Sequence, residues 1–522
     1  MNPLRALLAG LCCLILASGA GAKSLRLASA FDPQTMDPHA VALLYQTRVV
    51  TQIYEGLVNR GKDFKLEPSL ATSWRMVNPT TWRFALREGV KFHDGSAFSA
   101  DDAVFSIERA LEKTSQRANQ MRGIKGAKKV DARTIEVMTS APDAVLPEKL
   151  WLVAMMSKTW AERHNVERPQ DYNARQETHA VRNANGTGPF MLVRYEADVR
   201  TTLKANPAWW GSGAAAGGGN LDEVQYHVIQ SDATRLAALS SNQVDFVLDP
   251  AFQDLRRLKQ DKTLKVSETT DIGTQYLAFD QHRAELPGVP GRNPFKDLRV
   301  RRAVLLAIDV ELISRTVLRG EATPTGSHIS PLVDGHLPEF EQRPPFDPAA
   351  ARALLEQAGY KDGFAVTLDC VNVAYRSAVC QAIASMLEKV GIKTNFVPSP
   401  SSIFFPKLTQ ATGSLVEFGW SPGTDPFNIL HSLVRSNDGL AAGAFNAGRY
   451  SNAQLDALID GIRVEPDLAQ RLRMTGDALR LMQADLPIAP LYRRHHNWVM
   501  RPNIAVVHWP NDVLELRWVR IE

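Results

Sequence analysis

Tyr54 to Leu111 reads YEGLVNRGKDFKLEPSLATSWRMVNPTTWRFALREGVKFHDGSAFSADDAVFSIERAL, and the fold class follows from this stretch. Trp82, Phe84 and Leu86 alternate with Arg83, Ala85 and Arg87, the period of a half-buried strand. His93-Asp94-Gly95 breaks that period, and glycine supplies the positive φ that a tight turn needs. Ser99 stands three residues before Asp102, the spacing of a capping box at a helix start. Ala103, Val104, Ile107, Ala110 and Leu111 then share one helical face. A shorter pattern, Leu66 to Trp74, precedes them. Strand, turn, strand end and capped helix in this order make a mixed α/β unit.

Working outward, the chain has 522 residues, 44% hydrophobic and 22% charged. That is too long for one core, so two or three lobes are expected. Sixty basic and 56 acidic residues leave a net charge of +4. This balance, with no basic stripe interleaved with aromatics, argues against nucleic-acid binding. Residues 1–22 have the form of a secretory leader: Arg5, an apolar run from Ala6 to Ala17, and Ala20-Gly21-Ala22 before a cleavage point after Ala22. Leu11 before Cys12 does not make a lipobox. No other run approaches the length of a membrane-spanning helix. Cleavage leaves Cys370 and Cys380 as an even pair in an oxidising compartment, open to a disulfide or to two buried thiols.

Several words of the opening stretch, YEGL, LEPSLATSW, W-x-F-x-LR-x-GVKFHDG and SADDAVFS, resemble in order the family-5 extracellular solute-binding proteins. These are the dipeptide-, oligopeptide- and nickel-binding receptors of bacterial ABC importers. Asn185 to Phe190 (NGTGPF), Asn206 to Trp210 (NPAWW), Pro294 to Asp309 (PFKDLRVRRAVLLAID) and Leu486 to Leu491 (LPIAPL) extend the resemblance over nearly all of the mature chain. It implies an α/β clamshell of cluster C type. Lobe I would span 23–270, with an insert at about 69–182, and take back 490–522; lobe II would span 275–487. Crossings are expected at Thr274–Asp280 and Leu486–Leu491. The pattern Ala365–Asp369, Val379–Val390, Lys393–Val397 reads as strand, helix, strand, a locally parallel βαβ unit. Arg299, Arg301 and Arg302 are read as a solvated helix face with local partners.

The resemblance also implies a ligand buried between the lobes. Peptide-binding members hold the amine with a carboxylate near a GW…D…DP word and often take the carboxylate with an arginine. Here Gly419-Trp420 and Asp425-Pro426 match the ends of that word, the loop between is shorter, and Gly423 replaces the acidic position. The amine-binding carboxylate is then either absent or supplied by Asp425. Arg376, in a strand-to-helix loop, is assigned to a ligand anion. Tyr45, Tyr276 and Trp420 are expected as apolar walls and Thr187 as a further lining residue. No HExxH, GxSxG or P-loop occurs, so no enzyme chemistry and no cofactor are expected. His495 and His496 are adjacent on a strand and point to opposite faces, which disfavours joint chelation of a metal. The expectation is a monomeric periplasmic receptor that delivers a peptide or peptide-like solute to a membrane permease with its ATPase subunits. Alternatives are a receptor for a nickel chelate, glutathione, haem or an opine, and a secreted hydrolase or chaperone on the same scaffold.

Overall fold

The computed structural model describes residues 23–212, 218–439 and 442–522. The expected leader lies outside the described residues, as do residues 213–217 and 440–441.

Strand β1 (Ser24–Ser29) buries Leu25 and Leu27 completely and leads through a loop to helix α1 (Leu44–Ile53). The helix pattern extends from Val41 to Leu57, but the carbonyls of Gly56 and Leu57 accept from Leu70 and Ala71, which pulls the chain out of the helix after Ile53. The opening stretch then forms β2 (Ala71–Asn78), β3 (Thr81–Leu86) and α2 (Ala100–Leu111), joined by β4 (Ile124–Asp131) and β5 (Thr134–Thr139) in an antiparallel sheet of order β2-β3-β5-β4. Phe84 sits opposite Trp74 and Ile135, and the inner face packs on Ala103, Ile107 and Ala110 of α2. The Asp102 carboxylate accepts from the Ser99 N–H at 2.9 Å and from its hydroxyl at 2.7 Å, fixing the helix start. The β4–β5 hairpin turns at Ala132-Arg133, where the Asp131 carboxylate accepts from the Arg133 N–H.

Next come β6 (Phe190–Glu196), β7 (Arg200–Ala205), β8 (Glu223–Val228) and β9 (Phe246–Val247), with β8 and β9 parallel to β1. Strands β10 (Lys265–Thr270) and β11 (Thr274–Phe279) follow almost end to end. Helix α3 (Leu298–Ala307) starts at Asp297, whose carboxylate accepts from Arg299 N, and the preceding Pro294–Lys296 is a separate 3₁₀ turn. Arg299 is the solvated arginine expected; Arg301 is not. Arg301 is buried and donates to the carbonyls of Phe295, Lys296, Asp485 and Leu486, which anchors α3 beside the second crossing. After β12 (Ala322–Pro324), β13 (Phe364–Val371), α4 (Ala374–Glu388) and β14 (Ile392–Ser399) make the parallel βαβ unit, and β15 (Leu415–Trp420) joins β13 in parallel.

Strand β16 (Ile488–Met500) is the spine. Its first part, Ile488 to Tyr492, pairs with β11; its last part, His495 to Met500, pairs with β10. One sheet therefore runs through the whole chain in the order β14-β13-β15-β11-β16-β9-β1-β8-β7-β6, with β10 and β12 also on β16. The β10–β11 connection and β16 are the two antiparallel links between a core built on β11, β13 and β15 and another built on β1, β6 and β8. The result is a mixed α/β clamshell of two lobes.

Cys370 of β13 and Cys380 of α4 are joined in a disulfide, both fully buried. The bridge closes a short loop that carries Tyr375 and Arg376. Replacing both cysteines with serine should lower stability by about 2–3 kcal/mol in the loop-entropy account. Urea denaturation of that variant and of the wild type checks this. An unchanged midpoint would mean that the bridge constrains nothing.

Candidate ligand-binding site

In an open α/β sheet, ligands sit outside the carboxyl ends of the parallel strands. Two such edges occur. On the first lobe, β1, β8 and β9 end at Ala30–Gln34, Ile229–Asp232 and Leu248–Phe252. On the second, β13, β14 and β15 end at Asn372–Arg376, Pro400–Ile403 and Ser421–Asp425.

The first edge carries a groove of about 410 Å³ whose walls include Phe31, Asp32, Gln34, Tyr45, Asp198 and Asp232. Tyr45 stacks on Phe31 with ring centroids 5.2 Å apart and planes 21° from parallel. Phe31 is 55% exposed, so the pair offers an aromatic slab to the groove. Asp32 is held from behind by the Tyr195 hydroxyl (2.6 Å) and the backbone N–H groups of Gln34 and Asp198.

On the second edge Arg376 stands at the start of α4, but its guanidinium is taken. Its Nε and Nη2 donate to Glu417 Oε2 at 3.0 and 2.8 Å, and Glu417 has no exposed surface. Burial pushes the Glu417 carboxyl up, and Arg376 opposes that. Tyr375, next to Arg376, meets Phe252 of the other lobe with ring centroids 6.0 Å apart, and Arg494 lies 5.5 Å over the Tyr375 ring. These contacts lie beside β16.

The other expected site residues are placed elsewhere. Tyr276 is completely buried, donates to the His328 carbonyl and packs on Phe418, so it belongs to the core and not to a wall. Trp420 donates to Asn428 at 2.7 Å and leans on Phe445, with part of its ring exposed. Asp425 accepts from the Phe427 N–H at 2.8 Å and faces Arg471, on the helix Leu468–Asp485, at 3.5 Å, so its oxygens are taken up by its own loop and that helix. Thr187 is fully buried and donates to Glu55 at 2.8 Å. Glu55 also accepts from the indole N–H groups of Trp209 (3.1 Å) and Trp210 (2.9 Å). The YEGL, NGTGPF and NPAWW words thus meet on one carboxylate. The HDG turn joins them, since His93 Nε2 lies 3.0 Å from the Gly188 carbonyl. A Cβ at Gly186 would sit 1.9 Å from the Ile53 carbonyl, which is why only glycine fits. This junction is structural.

Gly423 is also close-packed, though against side-chain tips and not backbone. A Cβ there would come within 2.9 Å of Glu148 and 3.1 Å of Arg60, which form an ion pair on the other lobe. Thr424 bridges that pair, accepting from Arg60 at 3.2 Å and donating to Glu148 at 3.1 Å. The short loop therefore docks one lobe on the other. Beside it, burial pushes the Asp425 carboxyl up to about 6. A raised folded value means the fold holds a proton that the unfolded chain releases near 4, so this group's contribution falls as pH rises from about 4 to 6. Asp425→Asn should remove that fall and leave the protein about 2–3 kcal/mol more stable at pH 7, read from unfolding midpoints across pH. An Asn variant with the wild-type pH profile would contradict it.

The residues that sequence reasoning missed lie where the β10–β11 connection runs beside β16. Asp271 accepts from Arg494 at 3.3 Å and lies 3.4 Å from His496, whose other nitrogen lies 3.6 Å from Asp512. Asp512 pairs with Arg48, which also pairs with Asp249 under the groove. His495 turns the other way, to Thr323 at 2.8 Å and Glu268 at 3.2 Å. Glu268, Glu321 and His495 cluster there, and the Lys259 ammonium bonds to both carboxylates, filling the centre with a cation of the chain itself.

Residues 65–440 match the family of bacterial extracellular solute-binding proteins, family 5. The heme-binding protein A of Haemophilus influenzae is 27% identical over 470 residues, covering 84% of this chain and 81% of the relative. The dipeptide-binding protein of Escherichia coli is 26% identical over 470 residues, covering 83% and 82%. The solved structure of HbpA2 from Haemophilus parasuis superposes with a TM-score of 0.80 at 22% identity, covering 96% of this chain and all of that one, which supports the fold. With its clamshell, its two links and this match over most of its length, the chain belongs to the bacterial extracellular solute-binding proteins, family 5.

Proposed function

We propose that this protein captures a peptide or peptide-like solute in the periplasm and presents it to the permease of an ABC importer. The observation that carries this reading is the pair of antiparallel links, β10–β11 and β16, with strand ends facing across the cleft on either side. Such links let the lobes rotate about Asp271–Gly273 and Arg493–Arg494, so that a solute touching both edges favours the shut form. Lobe I takes residues 23–270 and 490–522, and lobe II takes 275–487. The leader is removed after Ala22, and among the described residues no helix is long and apolar enough to cross a membrane. The protein works as a monomer by binding, without turnover, and the permease and its ATPase subunits supply the transport step. The dipeptide-binding relative supports the peptide class.

A second reading, capture of a non-peptide solute, has the support of the heme-binding relative, 27% identical against 26% for the dipeptide-binding one, and of the Arg376–Glu417 pair, which occupies the guanidinium expected for a peptide carboxylate. Native purification of the mature protein, denaturation and mass spectrometry of the released small molecules separate the two. A spread of short peptides is the result expected. A single non-peptide compound would overturn the peptide class and leave the receptor standing.

A further inference from the structure

We infer that the cleft selects by charge, taking neutral or cationic ligands with an apolar body and rejecting anions, and that Glu417 is the residue that sets this selectivity. The inference rests on the reading of the cleft as the ligand site, and it deepens that reading by naming the ligand class.

Two independent observations point the same way. At the second edge, Gln275 of β11 lies opposite Gly419 of β15 and Tyr492 of β16, so Gln275, Glu417 and Tyr492 share one face of the sheet. The Gln275 amide lies across Gly419, where a Cβ would come within 2.4 Å of it. Arg376 meets Glu417, and Arg494 meets Asp271, so both cationic groups near this floor are neutralised by the chain itself. What remains is two carbonyl-type acceptors, the Tyr492 hydroxyl, which can donate or accept, and one donor, Arg494 Nε. Glu417 Oε1 and Gln275 Oε1 have no hydrogen-bond partner among the described residues, and neither has the Tyr492 hydroxyl. All three side chains are more than nine-tenths buried. A buried acceptor without a donor costs free energy, so this floor favours a group that donates. A carboxylate arriving here would find its guanidinium occupied and a second carboxylate beside it.

At the first edge, the groove walls are the Phe31–Tyr45 slab and the carboxylates of Asp32, Asp198 and Asp232, with no lysine or arginine among the lining residues; Asp232 is paired from behind by Arg235 at 2.6 Å, so Asp32 and Asp198 carry the charge of the groove. An aromatic slab beside carboxylates attracts cations and apolar surface and repels anions. Both edges therefore carry the same preference.

The test compares Glu417→Gln with wild type, because the amide keeps the shape and removes the charge that cancels Arg376. Thermal unfolding is followed with sodium acetate, and separately with methylammonium chloride, each against sodium chloride at equal ionic strength. Acetate should raise the melting temperature of the variant by several degrees and leave wild type unmoved. If Glu417→Gln does not fold, Arg376→Gln answers the same question from the other side, because methylammonium and not acetate should then stabilise the protein. An acetate response in wild type equal to that of Glu417→Gln, or an Arg376→Gln variant indifferent to both ions, would overturn the inference. Trialanine and its C-terminal amide are titrated in parallel. Wild type should bind the amide more tightly, and Glu417→Gln should shift the acid-to-amide preference at least about tenfold toward the acid. If neither tripeptide binds while the acetate result holds, the peptide reading fails and the charge rule stands.

Discussion

Glu55→Ala should lower stability by about 3–5 kcal/mol, because it strips the acceptor from three donors at once. Thr187 Oγ1 and the indole N–H groups of Trp209 and Trp210 all end on this carboxylate, and Thr187 and Trp209 are buried. An unmade bond of this kind costs about 1–3 kcal/mol per buried group, and the missing side chain adds a cavity. Glu55→Gln keeps one carbonyl oxygen and should lose only about 1–2 kcal/mol. Urea denaturation with an unchanged m-value reads both. Burial raises the Glu55 carboxyl, so the fold carries its proton to a higher pH than the unfolded chain does. Its ionic penalty therefore grows as pH rises above the ordinary carboxylate range, and Glu55→Gln, which carries none, should lose least relative to wild type at neutral pH. A loss below about 1 kcal/mol for Glu55→Ala would show that the junction of the four words is not held there.

Arg109→Met should cost a comparable amount, about 3–5 kcal/mol, because it leaves a buried carboxylate alone. Arg109 of α2 forks onto Asp37 with bonds of 2.8 and 2.7 Å, and neither side chain has any exposed surface. It also donates to the carbonyls of Val166 and Arg168 and lies 3.1 Å from His39 Nδ1. Burial beside Arg109 holds His39 down to about 3, so the ring is neutral, with its other nitrogen on the Ala154 carbonyl. In wild type, Asp37 is lowered despite burial, chiefly by Arg109. Its contribution is present above the unfolded carboxylate value and is lost as pH falls through the folded one. Without Arg109 the sign reverses: burial alone raises Asp37, and the variant gains on wild type as the solution is acidified. The difference between the two proteins should shrink from pH 7 to pH 4 in thermal unfolding. A difference that is constant with pH would mean that Asp37 is not the charge left behind.

Much of the fold was legible because local patterns and tertiary pairings agree. The alternation at Trp82, Phe84 and Leu86, the Ser99–Asp102 cap and the βαβ run from Phe364 to Ser399 all survive in the structure, since each residue's local preference is also its packing role. Boundaries moved where a tertiary bond outbid the local pattern, as at Gly56 and Leu57, whose carbonyls are claimed by the next strand. Arg301 reads as a surface cation in a basic run, yet four carbonyls receive it, two of them, at Asp485 and Leu486, from a distant segment. The candidate site was less legible. Arg376 was singled out, but its partner Glu417 lies 41 residues away on a strand whose outline, LVEFGW, reads as apolar. One glutamate inside such a run was the available signal, because a charge in a buried strand needs a partner. Tyr45 and Tyr276 look alike in sequence, and only the sheet decides that one borders a groove and the other fills the core.

Two lobes that close on a captured solute make the molecule more compact. Small-angle X-ray scattering of the mature protein, stripped by denaturation and refolded, then given back the small-molecule fraction released from the native protein, tests it most directly. A smaller radius of gyration at saturation, returning to the open value after dialysis, is the result expected. A radius that stays the same while the solute is demonstrably bound would contradict closure and with it the account of β10–β11 and β16 as a hinge.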